Sequence, residues 1–228
     1  MCQKTPWTGI IKTMRLLYQK HRLLFKTLTI NLLCIFLLLT LSYAQNTTLS
    51  KIETAYKNID DASGNFIQIS YIKELGKTQK FNGKFFIKGD KIRWQYFGKF
   101  SQVVYLNRKM LTVYDKTNKQ AIQSSFTEDK YGQLPIALLS RMADIKKDFE
   151  VAENKENTLI LVPKTKMGNI KRIELVINEN EFPIKSLKIT DTMANIITIE
   201  FNNVKINTNL KDSLFNFTPR EDDTVLQY

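Results

Sequence analysis

Lys91-Ile92-Arg93-Trp94-Gln95-Tyr96 alternates polar and apolar side chains without a fault, the period-two signature of a strand with one wet and one dry face. Lys171-Arg172-Ile173-Glu174-Leu175-Val176-Ile177 and Ile197-Thr198-Ile199-Glu200-Phe201 nearly repeat it. Eight further stretches fit strands: Phe66 to Ile72, Phe81 to Lys88, Gln102 to Leu106, Leu111 to Tyr114, Ala121 to Ser125, Phe149 to Ala152, Thr158 to Val162 and Ile184 to Thr190. Turn signals separate most of them, at Gly76, Gly89-Asp90, Gly98, Asp115 to Asn118, Gly168-Asn169 and Asn178 to Asn180. About eleven strands in meander order predict a mainly β fold with antiparallel pairing.

Two segments break that rhythm. Thr47 or Thr48 can cap a helix, Ser50 with Glu53 has capping-box spacing, and Leu49, Ile52, Tyr56 and Ile59 recur at helical intervals. Between Gln133 and Asp144, Leu134, Leu138, Leu139 and Met142 share a helical face, and Pro135 suits a first turn. So many consecutive strands form a barrel, a sandwich or one strongly curved sheet, and both helices must bury their apolar stripes against it. Placed on the concave side, they leave an apolar space that either the protein's own side chains or a ligand fills.

Ahead of this region, Lys20, His21, Arg22 and Lys26 form a basic n-region, Leu28 to Leu41 an apolar h-region, and Ser42-Tyr43-Ala44 a cleavage site. Residues 1–44 read as a signal peptide, with 1–13 an extension if Met14 is the true start, and residues 45–228 as one exported domain. The alternative is an uncleaved anchor, but the h-region falls short of the roughly 20 residues that span a bilayer. The leader holds both cysteines, the single histidine and six of the 34 Lys and Arg, but none of the 22 acids. Residues 45–228 therefore carry +6 and lack Cys and His, which removes thiol nucleophiles, His-based triads, His or Cys metal sites and disulfides. Asp60-Asp61 at a helix-to-strand turn and Asp222-Asp223 in the tail suit turn-forming or solvated carboxylates better than catalysis. Lys84, Lys88, Lys91, Arg93, Lys171, Arg172, Lys185 and Lys188 are spread along strands, either as a solvated sheet face or as an attraction to anionic headgroups, and not as a nucleic-acid footprint.

Across nearly the whole of residues 45–228 the order of motifs resembles the LolA family of outer-membrane lipoprotein carriers. The pattern runs through Phe66-Ile67-Gln68, Gly83-Lys84-Phe85-Phe86-Ile87-Lys88, Ile92-Arg93-Trp94-Gln95-Tyr96 and Leu111-Thr112-Val113-Tyr114-Asp115. It continues in Leu134-Pro135-Ile136-Ala137-Leu138-Leu139, Leu161-Val162-Pro163-Lys164, then Asp191, Asn195, Thr198, Phe201-Asn202-Asn203-Val204 and Phe215-Asn216-Phe217-Thr218-Pro219. The resemblance implies an incomplete eleven-stranded antiparallel barrel with a helical lid over a hydrophobic cavity. It implies a monomeric periplasmic chaperone that is not an enzyme and needs no cofactor. Its cavity would take acyl chains of lipoproteins from an inner-membrane ABC transporter and pass them to an outer-membrane acceptor.

Under that resemblance the cavity residues are Phe85, Ile87, Ile92, Trp94, Tyr96, Ile173, Leu175, Ile177, Ile197, Ile199 and Phe201 from the sheet, with Ile52, Tyr56, Leu138 and Met142 from the helices. Period-two aromatics and aliphatics by themselves are equally the makings of ordinary sheet core. Where the family commonly carries an Arg-Pro pair whose Arg latches the lid, this chain has Lys88 and Gly89. Lys88 is the latch candidate, weaker for lacking the fixed guanidinium fork. A carrier of another lipid or glycolipid, and a lipid- or protein-sensing regulatory domain, are the alternative functions of such a fold.

Overall fold

The computed structural model of the chain describes residues 49–228, except 100, 108, 128–137, 140–144 and 179–181. A helix, α1, covers residues 49–57, with Leu49 and Ile52 buried. Twelve strands follow: β1 (Asp61–Ile72), β2 (Lys77–Lys88), β3 (Lys91–Tyr96), β4 (Gln102–Asn107), β5 (Met110–Asp115) and β6 (Gln120–Ser125) form the first half. A short helix α2 (Ile145–Asp148) then leads into β7 (Phe149–Lys155), β8 (Thr158–Pro163), β9 (Ile170–Ile177), β10 (Ile184–Asp191), β11 (Ile196–Ile206) and β12 (Thr224–Gln227).

All twelve strands join one curved open sheet in the order β12-β6-β5-β4-β3-β2-β1-β11-β10-β9-β8-β7. Two meanders, β1 to β6 and β7 to β11, are joined where β1 pairs antiparallel with β11. The eleven expected strands are all present, and a twelfth, β12, lies parallel to β6. Four residues, Thr-Val-Leu-Gln, are too few for the alternation to register, and a parallel partner a hundred residues away leaves no hairpin signal. The first strand begins at Asp61 rather than Phe66, and the second at Lys77 rather than Phe81, which makes a hairpin of two 12-residue strands.

The register explains how so thin a sheet holds together. Phe85 faces Trp94, and Trp94 faces Val104; Ile87 faces Ile92, and Ile92 faces Leu106. Toward the other edge Gln68 faces Ile199, Ile199 faces Leu187, Leu187 faces Leu175, and Leu175 faces Leu159. These rows form one apolar face, joined into a single core with Leu49 and Ile52 of α1, Leu138, Leu139 and Ile145. Gly89, at φ +56°, supplies the left-handed residue of the tight β2–β3 turn. Asp191 closes the β10–β11 turn by accepting from the backbone N–H groups of Met193 and Asn195, at 2.9 and 2.8 Å.

The opposite face carries a second, smaller packing layer. After β11 the chain crosses to this side, where Phe215 is fully buried and Phe217 packs on Tyr105 and Tyr114 at ring separations of 6.0 and 5.0 Å. Asp222 and Asp223 are not simply solvated. Asp222 pairs with Lys119, and Asp223 accepts from the Tyr114 hydroxyl at 2.7 Å, so both fasten the approach to β12.

Asp61, placed in a turn by its sequence, is the buried first residue of β1. Its carboxylate accepts from Thr208 N at 2.9 Å, Thr208 Oγ1 at 3.0 Å and Leu210 N at 3.0 Å, anchoring the crossover segment. Burial pushes this carboxyl upward, but the hydrogen bonds from Leu210 and Thr208 outweigh it and hold the group below its ordinary value. A depressed carboxylate stabilises the fold fully above its unfolded value of about 3.9, and that contribution is lost as pH falls through the lower folded value. Asp61→Asn should lose about 1–3 kcal/mol at neutral pH, where its amide cannot serve all three donors. Urea unfolding at pH 7 and pH 3 checks this: the gap between parent and variant should shrink in acid.

Candidate functional site

Fourteen of the fifteen residues expected to line a cavity fall within the described region, and all fourteen belong to one cluster. Ile52, Phe85, Ile87, Ile92, Trp94, Leu138, Ile173, Leu175, Ile199 and Phe201 are buried in it, while Tyr56, Tyr96, Ile177 and Ile197 pack half-buried against it. Met142 lies outside the described residues, as does most of the segment from Gln133 to Asp144.

Aromatic rings run through the middle of this cluster. Phe66 stacks on Trp94 with centroids 3.6 Å apart, Tyr96 meets Phe66 edge-on at 5.5 Å, and Phe85 packs against Trp94 and Phe201 at 6.1 and 5.3 Å. Phe182, from the connection between β9 and β10, inserts among Tyr56, Phe85 and Phe201 at 5.8, 6.1 and 5.8 Å. The sequence reading missed Phe182, because an apolar residue between turn formers carries no periodicity; its only signal was a Phe-Pro pair in a turn. Gln68 is the polar exception, accepting from the Tyr96 hydroxyl at 3.1 Å and donating to Ser70 at 3.0 Å.

Between α1 and the sheet lies a cavity of about 120 Å³, lined by Tyr56, Ile59, Ala62, Ile87, Leu139 and Phe182, with Asp60, Asp61 and Gly89 at the strand end. Ligand pockets usually run from about 300 to 1,000 Å³. A sizeable guest entering this cavity must therefore displace α1, Phe182 or Leu139.

The family model for the outer membrane lipoprotein carrier protein LolA matches residues 57–218, most of the described chain. This chain belongs to the LolA family. The outer-membrane lipoprotein carrier protein of Halorhodospira halophila is 28% identical over 195 residues, covering 85% of this chain and 92% of that one. That of Alcanivorax borkumensis is 24% identical over 177 residues, covering 75% and 83%. Among solved structures, an uncharacterized conserved protein from Thermus thermophilus has a TM-score of 0.51 at 11% identity, covering 81% of this chain and 99% of that one. A LolA superfamily protein from Nitrosomonas europaea gives a TM-score of 0.43 at 11% identity, covering 75% and 96%.

Two sets of side-chain contacts tie together segments far apart in the chain. Lys88 donates from Nζ to the Leu210 carbonyl at 2.7 Å and pairs with Asp212 at 3.0 Å, while Lys91 reaches the other Asp212 oxygen at 3.1 Å. Both lysines hold the Asp212 carboxyl below its ordinary value. Lys88 therefore fastens the crossover segment; any contact with residues 128–137 or 140–144 lies outside the described residues. Glu53 of α1, mostly buried, accepts from Lys146 N of α2 at 3.1 Å and lies 3.8 Å from Lys146 Nζ. This tie between the two helices was invisible in the sequence, where Glu53 figured only as the second half of a capping box.

Proposed function

We propose that residues 45–228, freed of the leader, act in the periplasm as a carrier that receives acyl chains of lipoproteins on the concave face and moves them from the inner to the outer membrane. The donor would be an inner-membrane lipoprotein-releasing ABC transporter, and the recipient an outer-membrane acceptor. The reading rests on one observation: an apolar face, with Gln68 its polar exception, runs across the sheet, and among the described residues α1 and single side chains cover it while every strand lies in the one sheet. Small elements can be lifted from such a face without dismantling the ladder.

The physical need is solvation. Each methylene buried is worth about 0.8 kcal/mol, so a chain of about sixteen carbons costs on the order of 12 kcal/mol to hold in water. A carrier must replace the bilayer and still release its cargo. Packed side chains that return to the face when the chain leaves, with Phe182 foremost, lower the cost of release. Mass spectrometry of the exported protein purified without detergent tests the reading, with diacylated or triacylated lipopeptide expected and recovery of none counting against it.

If α1 must lift, Glu53 sets part of the threshold. Glu53→Ala removes a charge-assisted bond, worth about 1.5–3 kcal/mol. Hydrogen exchange over residues 49–57 should quicken about tenfold or more, and lipopeptide uptake should quicken with it. Unchanged exchange in the variant would place the cover elsewhere.

A further inference from the structure

Among the described residues the Tyr56 hydroxyl is buried without a hydrogen-bond partner. Two other phenols on the sheet's packed faces are served: Tyr96 donates to Gln68 at 3.1 Å and Tyr114 to Asp223 at 2.7 Å. An orphaned buried hydroxyl is costly, so its retention on an otherwise apolar side points to a guest that pairs with it. Burial drives the Tyr56 phenol far above its ordinary value, which keeps it a neutral donor. The ring is held against Phe182 and lines the 120 Å³ cavity, whose only charged lining residues among those described are Asp60 and Asp61. Carboxylates accept and cannot donate, so Tyr56 is the lining residue that carries a side-chain donor, its hydroxyl sealed from solvent in the empty protein.

We propose that the Tyr56 hydroxyl receives an acyl carbonyl of the bound ligand and so fixes how deep the chains run into the core. The inference rests on the acyl-binding reading above and adds its polar contact. An ester or amide carbonyl brings an acceptor and no donor, complementing a lone neutral hydroxyl. A chain joined through an ether has the same apolar length but cannot answer it. The contact gives preference for acylated over alkylated cargo, which apolar packing alone cannot provide.

The test titrates residues 45–228, parent and Tyr56→Phe, with a dipalmitoyl-glyceryl-cysteinyl peptide and with its dihexadecyl ether analogue. The parent should bind the ester form about 5- to 10-fold more tightly, the worth of one neutral hydrogen bond. Tyr56→Phe should bind both forms alike, at the parent's affinity for the ether. The melting temperature of the empty variant should hold or rise by about 2–4 °C, because an unpaired buried hydroxyl is gone. A parent that does not discriminate, a variant that still does, or a destabilised empty variant overturns the proposal. A parent that binds neither peptide overturns the acyl-binding reading itself. Repeating the comparison with ester- and ether-linked phosphatidylglycerol separates the carbonyl sources: preference in both series means any acyl lipid serves, and preference in the peptide series alone assigns the contact to lipoprotein.

Discussion

Gly83→Val should leave no folded protein, and even Gly83→Ala should cost at least about 3 kcal/mol, the upper range for overpacking a dense interior. A Cβ built at Gly83 would stand 1.9 Å from the Gln95 carbonyl oxygen and 2.6 and 2.7 Å from two atoms of the Phe66 ring. Neither neighbour can yield. The carbonyl belongs to the ladder between β2 and β3, and Phe66 is stacked on Trp94 at 3.6 Å. Gly83 is thus the notch in the sheet that admits the Phe66 ring. Gly76, in the β1–β2 turn at φ +58° with open space around it, is the comparison: its alanine variant should lose only about 1 kcal/mol, for strained backbone. Urea denaturation of the pair decides the matter, and a Gly83→Ala protein as stable as the Gly76→Ala protein would contradict the packing described.

Ile197→Glu should fold and yet lose acyl binding by about a hundredfold. Ile197 sits opposite Ser70 and Ile189 at the half-buried margin of the core, where a carboxylate keeps some contact with water in the empty protein. An acyl chain laid over it strips that water, and the stranded charge costs several kcal/mol. Thr198→Glu is the control, one residue along the same strand but on the other face, in register with Lys188. It should bind as the parent does. Equal loss in both would mean that the chains do not lie on the concave face.

What the sequence could show is governed by locality. Alternation in 91–96, 171–177 and 197–201 is written into neighbouring residues, so those strands and their inner faces were legible, and with them fourteen described members of the core. The interactions that were missed join distant parts of the chain. Asp61 was read as a turn residue because its donors, Thr208 and Leu210, lie almost 150 positions away. Glu53 meets Lys146, 93 positions on, and Phe182 enters the core from a connection with no period of its own. Lys88 was singled out through the family's lid latch; its described carbonyl partner is instead Leu210 of the crossover segment, and most of the expected lid lies outside the described residues. The degree of closure was also beyond the pattern, since the same inward-facing residues serve an open pocket or a filled one. Packing volume, not residue type, separates the two.

On the proposed function, acyl chains displace side chains within the concave core. Trp94 is a built-in reporter of that event in a protein of residues 45–228, which leaves out the chain's other tryptophan, Trp7, while Trp94 is almost fully buried among Phe66, Phe85 and Tyr96. The measurement is Trp94 fluorescence of residues 45–228 titrated with a lipopeptide brominated midway along its acyl chains, against the unbrominated peptide. Bromine quenches only at near contact, so strong quenching that saturates with binding, and is lost in Ile197→Glu, is the expected result. Binding of the brominated peptide with Trp94 emission unchanged would place the chains outside the core and contradict the account.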